Sequence, residues 1–265
     1  MVLIAIFVGI CSLKIMDETE FTQEPTLFLI PTPIGNLEDI SYRTVRTLQS
    51  VDALACEDTR HTRKIFERHD LKSPQIIFSC HAHNEDRSVG RILSLLRDGM
   101  NVGLTSDAGA PGISDPGQRA ATAAIEAGYR VEALPGPSAV ITALMVSGLP
   151  IPTFSFLGFL PRRPGRQRKI LKTFAETPGA IAFFESPFRV AKILKIAAEV
   201  LGDRQVAVCV ELTKKFEKIY RGQLVDVISQ FDGKKLKGEV TIVIGPPIQD
   251  AEIVEDDADQ NLPFP

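Results

Sequence analysis

Residues 101–128 read "NVGLTSDAGAPGISDPGQRAATAAIEAG", and three textures follow one another within them. The apolar "NVGLT" has the length and the Val and Leu content of a strand, and "QRAATAAIEAG" is alanine-rich enough for a helix. Between them stand two Ser-Asp pairs, three glycines and two prolines, with no side chain long enough to grip anything. A strand that yields to a helix through such a loop is half of a β-α-β unit. The same texture recurs on both sides.

Upstream, "TLFLIPTP", "VDALACED" and "QIIFSC" alternate with "YRTVRTLQS", "TRKIFERHD" and "SVGRILSLLRDG". Downstream comes "YRVEALPGPSAVITALMVSG", again strand, turn and helix. Strand-length runs separated by helix-length segments predict an α/β domain with a mainly parallel sheet over residues 25–148. Prolines around Leu149–Thr153 read as a linker, after which "FSFLGFL" alternates like a strand. The later runs, "AIAFFES", "PFRVAKILKIAAEVLG", "QVAVCVEL", "FEKIYRGQLVDVISQF" and "GEVTIVIGP", come with both helical and hairpin-length connections. They predict a second α/β domain over 149–248, with a mixed sheet.

The chain has 265 residues, 44% of them hydrophobic and 24% charged, which suits two ordinary soluble domains. Its four cysteines, Cys11, Cys56, Cys80 and Cys209, are scattered without CxxC spacing. They give no zinc signature and no disulfide framework, so a reducing, cytoplasmic setting is expected. Residues 1–24 carry a net −3 and residues 249–265 a net −6, so in a chain of total charge −3 the body between them carries +6. A basic body with acidic ends fits a polyanionic partner.

The apolar start "MVLIAIFVGICSL" is too short to span a bilayer and lacks a basic beginning. Residues 1–24 are expected to be a disordered leader, with translation starting at Met16, and no membrane is expected as a partner. The stretch 249–265 is expected to be a disordered acidic tail.

The loops "TPIGN", "EDTRHT", "SDAGAPGISDPG" and "LPGPSA" all follow apparent strands. In a parallel sheet they share the carboxyl edge, where ligands bind open α/β folds. Neither GxxxxGK[ST] nor GxGxxG occurs, so a nucleoside triphosphate or NAD is not supported. Glycine-rich loops bearing an Asp and no base suit a neutral or cationic ligand with hydroxyl and amino groups. S-adenosylmethionine fits that description.

"PTPIGNLEDIS", "EDTRHT", "SDAGAPGISDPG", "ALPGPSA", "FFESPFR" and "GEVTIVI", in this order, resemble the tetrapyrrole methylase superfamily, and within it the ribosomal RNA small subunit methyltransferase I branch. The resemblance runs from Leu27 to about Gly245. It implies a two-domain, homodimeric enzyme that binds S-adenosylmethionine between its domains and 2'-O-methylates a cytidine in the decoding region of 16S rRNA. Free 16S rRNA and the 30S subunit both stand as its partner. Carried over by motif, the cofactor contacts fall on Ile34, Gly35, Asp107, Gly109, Ala110, Ser138, Ala139, Leu212, Gly238, Glu239 and Val240. Asp115, followed by Pro116, reads instead as the cap of the next helix.

No catalytic residue is fixed by the sequence. Glu185 (with Arg189), Glu211 with Lys214, and His83 are the candidates, each with a structural role as its alternative. His81 and His83, read at an extended strand end, are too few for a metal site, so no metal is expected. Arg60, beside Glu57 and Asp58, could orient a nucleotide. The run "PRRPGRQRKILK" holds Arg162, Arg163, Arg166, Arg168, Lys169 and Lys172 without an acid, and its prolines and Gly165 predict that its first half is a loop able to follow a phosphate backbone. Phe154, Phe156 and Phe159 read as strand core rather than as a stacking surface. Two other functions stay open: methylation of a corrin or porphyrin precursor, and noncatalytic RNA binding.

Overall fold

The computed structural model describes residues 24–231 and 236–247. The apolar leader before Glu24 and the acidic tail fall outside the described residues. The first half runs β1 (Thr26–Leu29), α1 (Tyr42–Ser50), β2 (Ala53–Cys56), α2 (Thr59–Arg68), β3 (Ile76–Ser79), α3 (Glu85–Arg97), β4 (Val102–Thr105), α4 (Gln118–Glu126), β5 (Arg130–Ala133) and α5 (Ala139–Ser147). Its five strands lie in the order β3-β2-β4-β1-β5, every pair parallel.

Alternate residues of β1 explain the layering. Leu27 joins Phe78, Ile92, Leu96 and Ala124 on one face, while Phe28 joins Leu48, Leu54, Ile65 and Phe66 on the other. A strand buried on both sides cannot alternate apolar with polar, which is why β2 and β4 read as unbroken apolar runs. Ser41 caps α1 by accepting from the Thr44 amide at 3.0 Å.

The second half runs β6 (Phe154–Phe159), α6 (Pro164–Thr173), β7 (Ala180–Glu185), α7 (Val190–Leu201), β8 (Gln205–Val210), β9 (Lys218–Gln223), α8 (Leu224–Ser229) and β10 (Val240–Ile244). The strand order is β6-β7-β10-β8-β9, with β6 parallel to β7 and the other pairs antiparallel. The α/β fold with one parallel and one mixed sheet is thus as expected. Ile181, Phe183, Val206, Val208 and Ile242 pack under α7 and α8 on one face of this sheet.

The opposite face carries Ala182, Ala207, Cys209 and Val243, and onto it packs α5, through Val140, Ala143 and Leu144. Small side chains on the strands let the helix lie close. A helix that precedes β6 in sequence therefore completes the core of the sheet that follows it.

The basic run departs from the sequence expectation. The loop is shorter than expected: α6 starts already at Pro164, with Pro at the first helical turn, where its missing N–H costs nothing. Only Arg162 and Arg163 precede the helix.

Candidate active site

Strands β1 and β4 are neighbours, so the loops leaving their carboxyl ends start side by side. Thr32 and Gly109 exchange both backbone hydrogen bonds, at 2.9 Å each, and fuse these loops into one piece. Gly109 has φ +84, a conformation that costs glycine nothing. The Thr32 hydroxyl donates to the Ser106 carbonyl at 3.0 Å, and the Ser106 hydroxyl to the Gly109 carbonyl at 3.1 Å. A third loop, after β2, is tied in through acids. The Asp58 amide donates to Asp107 Oδ1 at 3.0 Å, and the Asp107 amide to Glu57 Oε2 at 3.2 Å.

Facing these loops are the ends of β7, β8 and β10. Between the two sheets lies a cavity of about 420 Å³. The first half supplies Ile34, Glu57, Asp107, Ala108, Gly109, Ala110, Ile113 and Asp115, with Ser138, Ala139 and Val140 from the start of α5. The second supplies Phe159, Phe184, Glu185, Ser186, Pro187, Cys209, Leu212 and the segment Gly238–Thr241.

Carboxylates set its electrostatics. Burial pushes Asp115 up to about 6, helped by the negative charges of Glu57, Asp107 and Glu239. Glu185 is buried; its Oε1 accepts from the Ser186 amide and from Arg189 Nε, both at 2.6 Å, while Oε2 has no partner. Burial raises its pKa against the opposing pull of those two bonds. Burial also pushes the Cys209 thiol up to about 12, so it is not a thiolate nucleophile.

Of the residues carried over as cofactor contacts, Ile34, Asp107, Gly109, Ala110, Ser138, Ala139, Leu212, Gly238, Glu239 and Val240 all line this cavity. Gly35 does not. It lies against the loop after β8, where a Cβ would come within 2.5 Å of Lys214 Cγ and 2.7 Å of Thr213 Oγ1. Its smallness serves the approach of the two halves. Glu211 and Lys214 also stand outside the lining: Lys214 Nζ bridges Glu211 Oε1 at 2.8 Å and Glu239 Oε2 at 2.9 Å, and Glu211 Oε1 accepts from the Glu239 amide at 2.9 Å. That arrangement ties the end of β8 to the start of β10.

Three expectations need correction. Asp115 does not cap α4: the N-cap is Gly117, at φ +134 with no side-chain bond, and Asp115 lines the cavity instead. His81 and His83 do not sit on a strand end, because β3 stops at Ser79 and both lie in the turn before α3, off the cavity lining. Within the basic run, Arg168 is not an unpaired cation, since its guanidinium pairs with Glu199 at 2.8 and 2.9 Å. Arg162, Arg163, Arg166 and Lys169 are exposed. Arg60 pairs with Asp58 beside the site. Asp58, His61 and Asp107 offer ligand atoms within 4.8 Å of one another, yet each is engaged, Asp58 by Arg60 and Asp107 by the Asp58 amide and His61 Nδ1.

Sequence reasoning missed Asp115, Phe159 and Phe184 as lining residues. The signal for Phe159 was Gly158, since a glycine inside a strand pattern often marks a bulge.

A parallel sheet whose strand ends hold backbone-built loops against a mixed sheet is the architecture of a methylase class. Residues 26–228 match the family model of the tetrapyrrole (corrin/porphyrin) methylases, and the chain belongs to that family. Among curated relatives, the ribosomal RNA small subunit methyltransferase I of Bacillus subtilis (strain 168) is 42% identical over 218 residues, covering 82% of this chain and 74% of that protein. The protein of the same name from Thermotoga maritima is 41% identical over 218 residues, 82% of this chain and 97% of its own. Among solved structures, a cobalt precorrin-4 methyltransferase superposes with a TM-score of 0.62 at 20% identity, over 83% of this chain and 94% of that one. The uroporphyrin-III C-methyltransferase of Thermus thermophilus, complexed with S-adenosyl homocysteine, gives 0.57 at 17%, over 83% and 97%. These two share the fold.

Proposed function

We propose that this protein methylates small-subunit ribosomal RNA with S-adenosylmethionine, and that the group modified is the ribose 2'-hydroxyl of a cytidine in the decoding region of 16S rRNA. The relatives' shared name supports the RNA, and the carrying observation is the cavity. It joins backbone-built loops, an apolar wall and several carboxylates, and Phe159 leads from it within a few residues to the exposed Arg162 and Arg163.

The residues present fit the cofactor. A cavity of about 420 Å³ has the size of a small-molecule site. The buried, unpartnered Oε2 of Glu185 calls for a donor or a cation, and neighbouring acids favour a positively charged ligand. Ile34, Asp107, Gly109, Ala110, Ser138, Ala139, Leu212, Gly238, Glu239 and Val240 would hold it. When bound, S-adenosylmethionine supplies a transferable methyl group on a positively charged sulfur.

The chain's own part is to align and to accept a proton. A ribose hydroxyl is a weak nucleophile at neutral pH, and alignment alone lowers such barriers by roughly 7–11 kcal/mol in well-oriented systems. Asp115 is the acceptor in this reading: with its pKa near 6 it is ionised at neutral pH yet more basic than an ordinary carboxylate. The Asp115 carboxylate would take the proton that the 2'-hydroxyl gives up, while the electrons of the broken methyl–sulfur bond would stay with the departing sulfur.

The test is methyl transfer from labelled cofactor to 30S subunits and to free 16S rRNA, with mapping of the modified nucleotide. A single 2'-O-methylcytidine in the decoding region is expected. No incorporation into either substrate, with cofactor binding intact, would remove the proposal.

A further inference from the structure

Strand β6 holds a residue the sequence pattern would send the wrong way. Along "FSFLGF" strict alternation puts Phe154 and Phe156 on one face and Phe159 on the other. In the structure β6 pairs Phe156 with Ala182 and Phe159 with Phe184, three residues against two, so one extra residue is inserted. Gly158, at φ +60, lies inside this bulge. Bulges of this kind re-aim side chains next to functional sites. Here the bulge carries Phe159 onto the face of Phe156, and both rings pack against Phe184, at 5.0 Å for Phe156 and 5.3 Å for Phe159.

The result is an aromatic ring that lines the cavity and is nevertheless 61% exposed. Phe156, by contrast, is half-buried against the core under α5. Ile113, which also lines the cavity, is 53% exposed. A large apolar ring kept in water at the mouth of a cavity is stable only at a cost, and it becomes useful when something flat covers it. Three residues on, Arg162 and Arg163 are exposed, followed by Arg166 and Lys169 on α6. Cations beside an open ring are the two parts from which single-stranded nucleic acid sites are built.

We propose that Phe159 is a stacking platform for the unpaired base of the target nucleotide, holding it over the cavity while the arginines at the start of α6 take the flanking phosphates. This rests on the RNA-methylation reading and assigns how the substrate is seated. A 2'-hydroxyl inside a stacked helix cannot reach a cavity between two sheets, so the nucleotide must leave its stack, and a ring at the mouth repays part of the stacking energy given up. Phe159 is a positioning residue: it touches the base, not the reacting oxygen.

The experiment compares Phe159→Ala, Phe159→Leu and Phe159→Tyr in the full chain. Methyl-transfer kinetics are measured on unmethylated 30S subunits and free 16S rRNA, cofactor affinity by calorimetry, and fold by thermal melting. A short RNA with one unpaired pyrrolocytosine reports stacking by its fluorescence. Alanine and leucine are expected to lower kcat/KM for RNA about ten-fold or more and to abolish the quenching, while tyrosine keeps both. Melting and cofactor affinity stay unchanged. Full rescue by leucine would reduce Phe159 to apolar packing, and equal loss of cofactor affinity would assign it to the cofactor; either overturns the proposal. Wild-type protein that quenches the probe but methylates no rRNA would sink the functional reading and leave the stacking site standing.

Discussion

Asp115 carries the proton transfer in the proposed reaction, and its carboxyl lines the cavity. Its pKa near 6, against 3.8 in a free chain, means that the folded protein binds this proton more tightly than the unfolded one. Ionising it therefore costs stability, and the cost grows as pH rises from about 4 to about 6 and is complete above that. Asp115→Asn should accordingly raise the melting temperature at pH 8 and leave it unchanged at pH 4. The same substitution removes the proposed proton acceptor, so kcat should fall ~10²- to 10⁴-fold. In the wild type, kcat/KM should climb through about pH 6 as the carboxyl ionises. A flat profile from pH 5 to 8 would take Asp115 out of the mechanism. At this scale the sequence was half legible. Asp107 and Gly109 announced themselves in the first half of a loop with no long side chain. The second Ser-Asp pair looked like a capping signal, but the N-cap is Gly117 and the helix starts without a side-chain bond.

Strand and helix identities were readable because buried parallel strands leave unbroken apolar runs, as in β2 and β4. The departures from regularity were not. Pattern reading presumes a period of two, so the bulge at Gly158 stayed hidden and Phe159 was assigned to the core. The basic run misled in the opposite sense: Pro164 and Gly165 read as loop formers, although proline is at home in the first turn of a helix. Gly238, just before β10, is a further case. It has φ +90, and a Cβ there would fall 2.2 Å from Glu211 Cδ. Gly238→Ala should push Glu211 off Lys214 and the Glu239 amide, destabilising the fold by about 1–3 kcal/mol in denaturant titration. Cofactor affinity should weaken in parallel, since Glu239 and Val240 line the cavity. An alanine variant as stable as the wild type would show that this approach is slack.

For the molecule as a whole, the sequence placed four loops on one sheet edge but could not say what faced them, because the meeting of two sheets depends on residues distant in sequence. The charge asymmetry was legible: a basic body, with exposed Arg162, Arg163, Arg166 and Lys169 near the mouth of the cavity. Among the described residues no helix is long and apolar enough to cross a membrane. Arg162→Ala combined with Arg163→Ala should weaken binding to rRNA and lower the slope of log affinity against log salt by about 1.4, since each single-strand phosphate left without its cation removes roughly 0.7. Calorimetry with S-adenosylmethionine should show no change, whereas an unaltered salt slope would place the RNA elsewhere.

The helix α5, mostly apolar and seated on the second sheet, also dictates a timetable. A ribosome delivers Ala139–Ser147 long before Val240–Ile244, the central strand of the sheet that covers it. At about 5–20 residues per second, the nascent chain spends on the order of 5–20 s with this helix made and its partner strand not yet translated. The first sheet can form in that interval, but its last helix waits, open to any other apolar surface nearby. A chaperone that binds this newborn protein is expected to hold it here.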